Sequence, residues 1–221
     1  MSGLKINPVV RILVWSDLVF WTGWGLIGPV FAIFILQNIE GGSIAVVGFA
    51  TAVYWIVKSI LRIPIGLFLD SFKGEKDDYW FMTGGLFIAA LIPFGYVYAF
   101  LPWHLYLLEA VHALAMAMSL SGWAAIFSRH LDKGKEATEF GLDATAVGLG
   151  TGISGALGGL ALTYFSFQQV FVVTGFLGLL GALLLLLLRE GIETSIRPFH
   201  FGPMRKIKAI FYREAQEKQE K

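Results

Sequence analysis

The chain has 221 residues, of which 56% are apolar and only 15% charged, with a formal net charge of +1. A water-soluble domain of this size needs more polar surface, so the composition points to lipid as the solvent. The sequence contains no cysteine, which excludes disulfides, thiolate metal sites and cysteine nucleophiles.

Six apolar stretches are long enough to cross about 30 Å of hydrocarbon. They cover residues 9–37, 44–69, 79–100, 103–128, 140–165 and 168–188. Backbone groups in lipid must be satisfied within the segment, so each stretch is expected to be a helix. The stretches do not alternate, as barrel strands would. The first is longer than a signal-peptide core, and no small-residue cleavage pattern follows it, so it is expected to be retained. In it Asp17, Trp21, Trp24 and Gly28 share one face at spacings of 4, 3 and 4. Pro29 follows, where a kink is expected.

In the second span Lys58 lies about 17 Å from the end at Leu69, counting 1.5 Å per residue, and Arg62 is one turn nearer that end. Glu109 and His112 stand at i,i+3 in the fourth span. With Asp17, these make five ionisable residues singled out inside the spans. Such groups are costly in lipid without a partner or water, which makes them functional candidates. The fifth span is rich in glycine at Gly141, Gly150, Gly155, Gly158 and Gly159, with Ser154 among them. Small residues let helix backbones approach where lipid supplies no hydrophobic drive. The sixth span ends in an unbroken leucine run, residues 183–188.

The loops 38–43, 101–102 and 166–167 contain no Lys or Arg. Lys5, Arg11, Lys73, Lys76, Arg129, Lys133, Lys135 and Arg189 all fall on the other side. The positive-inside rule then places both termini in the cytoplasm and the protein in the cell membrane. Residues 1–190 form the expected six-helix domain. In the tail, 191–221, Met204, Ile207, Ile210 and Phe211 at helical spacing, interleaved with Arg205, Lys206, Lys208 and Arg213, suit a short interfacial helix.

Two stretches carry a resemblance to a known family. Gly66, Asp70, Lys73, Gly74 and Lys76 resemble the loop 2-3 signature of the major facilitator superfamily, with Ser71 in place of the first basic residue and Gly74 one position late. The glycines of the fifth span resemble that family's span 5 signature, with Ser154-Gly155 in place of Gly-Pro. The resemblance implies an all-α bundle like one half of a facilitator, whose members usually carry twelve spans in two six-span halves. Those halves insert in the same orientation, so a parallel homodimer is the expected assembly. In such a fold the first and fourth spans line the cavity, and the loop 2-3 motif gates its cytoplasmic side.

The function implied is secondary transport of a small solute by alternating access. The span 5 signature is associated in the family with antiporters, which favours export. Glu109 is the expected proton carrier, with His112 modulating it and Asp17 as the second choice. The alternatives are a non-transporting scaffold or sensor, or one half of a hetero-oligomeric transporter. No phosphate-binding loop, H-E-x-x-H pattern or nucleophile elbow occurs. His104, His112, His130 and His200 are scattered, so neither a metal nor any other cofactor is expected, nor an enzymatic activity. Nothing points to a nucleic-acid partner.

Overall fold

The first helix starts where its local chemistry favours a start. The Asn7 side chain accepts a hydrogen bond from Val9 N at 2.9 Å, and Pro8 occupies the first turn. Helix α1 then runs Pro8–Ile27. Pro29 has no N–H to give the Gly25 carbonyl, and the helix stops. It resumes as α2, Phe31–Asn38. The expected single span with a kink is therefore two helices separated by a break at residues 28–30. The structure, a computed structural model, describes residues 6–72 and 74–189. Lys73 and the expected tail helix lie outside the described residues.

Ser43 caps α3, Ile44–Asp70, by accepting from Val46 N at 3.3 Å, and Pro64 lies within this helix. A turn through Gly74, at φ 113° where a side chain would be strained, leads to α4, Lys76–Tyr96. Helix α5 spans Pro102–His130, and α6 spans Glu136–Ala161. The fifth span was expected at 140–165. It begins and ends four residues earlier because Glu136 and Glu139 suit a helix N-terminus, and Lys135 N bonds back to Asp132 O at 3.0 Å. A reciprocal cap between Ser166 and Gln169 opens α7, Phe167–Leu185, which ends in a 3-10 turn, Leu186–Leu188. Among the described residues there is no strand, and six helical segments are long and apolar enough to cross a membrane.

The helices pack side by side in the order α3, α5, α4, α7, α1, α6, with α1 also touching α5. Close approach depends on glycine at defined points. A Cβ on Gly158 would lie 2.2 Å from Leu26 O, and one on Gly150 would lie 2.7 Å from Thr22 Oγ1, so α6 meets α1 backbone to backbone. Side chains close the α1–α7 seam: Ser16 Oγ donates to Gly181 O at 2.9 Å, and Thr174 Oγ1 donates to Gly23 O at 3.0 Å. Apolar clusters fill the two ends of the bundle. Phe20, Met82, Met116 and Phe127 belong to one, and Phe34, Tyr96, Leu105 and Phe171 to the other.

Helices α3 and α6 stand apart from this core. Only 17% of each span is buried, against 44–56% for the other four. They flank the space between α1 and α5.

Candidate substrate cavity

Between α1, α3, α5 and α6 lies an open cavity of about 570 Å³. That is within the usual range for small-molecule sites. Helix α1 brings Trp21, Trp24 and Gly25 to it, and the break adds Gly28 and Pro29. The i,i+3,i+4 spacing on α1 aims both indoles the same way. Helix α3 contributes Tyr54, Trp55 and Lys58; α5 contributes His112; α6 contributes Thr151 and Gly155.

The polar wall is a chain of stacked groups. The His112 ring lies on Trp24 with centroids 4.1 Å apart and planes 8° from parallel, and Tyr54 flanks it at 4.7 Å. Lys58 Nζ donates to Tyr54 Oη at 3.1 Å and sits 3.6 Å from the centroid of the Trp55 ring. Tyr54, Trp55 and Lys58 meet because residues three and four apart on a helix are neighbours. Lys58 is only 8% exposed. Three polar atoms of this wall, Trp24 Nε1, His112 Nδ1 and Thr151 Oγ1, are buried without a hydrogen-bond partner.

Glu109 does not line the cavity; it lies behind His112. Its Oε2 is 3.7 Å from His112 Nδ1, and its Oε1 accepts from Tyr96 Oη at 2.7 Å. Glu109 and His112 are both buried, at 6% and 7% exposure. Asp17, the second-choice proton carrier, is not among the lining residues either. Its carboxyl instead faces Asp143 of α6, beside the Trp123 indole. Asp143 is the ionisable residue that the sequence reading missed, although it lies within the expected fifth span. Arg62 lies on α3, one turn below Lys58.

The two signatures divide. Gly66 has open space where a Cβ would go, Asp70 is the exposed last residue of α3, and Gly74 makes the turn. Lys76 opens α4. Nearby, Arg129 binds the buried Asp78 carboxylate, and Glu75 approaches His130 at 3.7 Å. In the glycine signature, Gly150, Ser154 and Gly158 pack on α1, and Gly155 turns to the cavity. A Cβ on Gly141 or on Gly159 would meet nothing within 4 Å. No group of acidic and histidine side chains among the described residues could hold a metal ion.

No curated protein matches the chain. The sequence does match the Major Facilitator Superfamily profile over residues 13–214, most of its length. Six apolar helices make it a multi-pass protein. The chain belongs to the Major Facilitator Superfamily, a family of membrane transporters for small molecules.

Proposed function

We propose that the protein is a secondary active transporter of a small solute, working by alternating access as a parallel pair of copies with both termini in the cytoplasm. The observation that carries this reading is the half-open cavity and the faces beside it. On α3 the residues Thr51, Trp55, Ser59, Arg62 and Asp70 form one stripe at helical spacing. On α6 the residues Gly141, Thr145, Gly148, Gly152 and Gly159 form another. Neither stripe suits lipid. A separate face of α6, with Leu149, Ile153, Leu157 and Leu160, does. A second copy, turned about an axis along the membrane normal, sets its α6 against this α3 and encloses the cavity.

Asp70 sits at the negative end of α3, where a carboxylate is disfavoured unless it meets a cation or a helix N-terminus. In the proposed pair a helix N-terminus of the second copy would answer that carboxylate, which is the gating role proposed for the loop motif. Proton coupling is assigned to Glu109. It is buried, and its immediate neighbours are a hydroxyl and an imidazole that can relay a proton toward the cavity. The likeness of the α6 glycines Gly141, Gly150, Gly155, Gly158 and Gly159 to the family's span 5 signature favours antiport, hence export. The same stripes fit a different six-helix partner, and co-purification of such a protein in place of a second copy would favour the hetero-oligomer.

The test is substrate-driven proton movement in liposomes containing only this protein, with wild type and Glu109→Gln compared. Wild type is expected to couple the two fluxes, and the variant to lose the coupling. Equal proton movement by the variant removes Glu109 from the role. Absence of any solute flux from proteoliposomes refutes the transporter reading.

A further inference from the structure

We infer that the cavity selects planar organic anions, an aromatic carboxylate being the simplest. This inference rests on the cavity being the substrate site of the proposed transporter, and it goes further by naming the substrate's charge and shape.

Among the unsatisfied polar groups on the wall, Lys58 and Trp24 can only donate, and the Thr151 hydroxyl and His112 Nδ1 can donate or accept. The Lys58 ammonium carries three N–H donors, and one conventional hydrogen bond, to Tyr54 Oη, uses one of them. The Trp24 indole N–H and the Thr151 hydroxyl are buried and unpartnered. An indole N–H can only donate. No carboxylate is among the lining residues. The acids close by are committed elsewhere: Glu109 to the Tyr96 hydroxyl behind His112, and Asp17 to its encounter with Asp143. Arg62, one turn from Lys58 on the same helix, adds a second positive charge beside the cavity.

Aromatic walls are often read as cages for cations. Here the cage is already filled by the protein's own cation, since Lys58 Nζ lies 3.6 Å from the centroid of Trp55 and 4.3 Å from that of Tyr54. A second cation would be repelled by the first. A neutral solute would leave the ammonium with only the Tyr54 hydroxyl and its ring contacts, and no anion to offset its charge. A carboxylate answers the Lys58 ammonium with a charge-assisted hydrogen bond. An aromatic ring attached to it finds flat partners in Trp21 and Trp55.

The test is equilibrium dialysis of the purified full chain in nanodiscs against three probes of one shape: 1-naphthoate, its neutral carboxamide and the cationic 1-naphthylmethylammonium. One charge-assisted hydrogen bond is enough for about a tenfold preference, so naphthoate is expected to bind at least that much tighter than either analogue. Lys58→Gln should remove the preference for naphthoate over the amide, whereas Lys58→Arg should keep it. Tighter binding of the cation, a preference that survives in Lys58→Gln, or no binding of any probe overturns the inference. The readout is binding, so it separates from the transporter reading. Naphthoate bound with no flux in liposomes keeps this inference and sinks transport. Flux of a cationic solute with no naphthoate binding does the reverse.

Discussion

Adjacent glycines in α4 offer a controlled measurement of how tightly this bundle is packed. A Cβ on Gly85 would stand 2.5 Å from Ala115 O and 2.6 Å from Ser119 N, both backbone atoms of α5. A Cβ on Gly84 would meet nothing within 4 Å. Ordinary contact is about 3.5 Å, so Gly85→Ala must push α4 and α5 apart by about 1 Å. Overpacking of this kind costs about 1–3 kcal/mol. Replacing glycine by alanine in a helix returns about 1 kcal/mol, but it does so at both positions. The intrinsic preference therefore cancels between the two variants. Gly85→Ala is expected to be less stable than Gly84→Ala by about 1–3 kcal/mol, measured by reversible unfolding in mixed detergent micelles. Two variants agreeing within about 0.5 kcal/mol, the scatter of ordinary surface changes, would refute the backbone contact between α4 and α5.

Other expectations concern the exposed helices and the end of the bundle that carries the basic residues. Gly152→Leu places a bulky side chain in the open stripe of α6, so it should abolish crosslinked dimers in lipid while the monomer stays folded; dimers that persist would place the interface elsewhere. Asp70→Asn should cut transport and spare expression, and a collapse of expression would make the residue structural. Arg129→Gln strips the buried Asp78 carboxylate of its guanidinium partner. Arg129 is 40% exposed on its side chain, which lowers the cost to about 1–3 kcal/mol of unfolding stability. Arg129→Lys should recover part of it, and no loss in either variant would deny the pair any structural weight.

The six spans were legible because the bilayer constrains length and polarity at once, and the break at Pro29 was legible as a kink. That the kink is a full interruption depends on Gly28 and Val30 adopting turn geometry around Pro29, which a proline alone does not dictate. The glycine pattern of α6 was legible as a packing face. Its division into a side on α1, with Gly150 and Gly158, and an open side, with Gly141 and Gly159, needed the helix phase and the neighbours. The Lys58 cage could be read from Tyr54 and Trp55 at i−4 and i−3. The placement of Glu109 behind His112 could not, because two residues at i,i+3 share a face only broadly, and the rotation of α5 decides which meets the cavity. Asp143 escaped notice among the glycines, although an acid inside a span is itself the signal.

The stacked Trp24–His112 pair gives the molecule an optical property. An imidazole ring lying flat on an indole at 4.1 Å is in electronic contact with it, and an imidazolium in that position is a strong fluorescence quencher. Trp24 belongs to α1 and His112 to α5, so its emission registers both the charge on the imidazole and the separation of two helices on the cavity wall. In a variant that keeps Trp24 and has phenylalanine at the other six tryptophan positions, a dim state and a bright state would distinguish the closed seam from the parted one in real time, with no label attached.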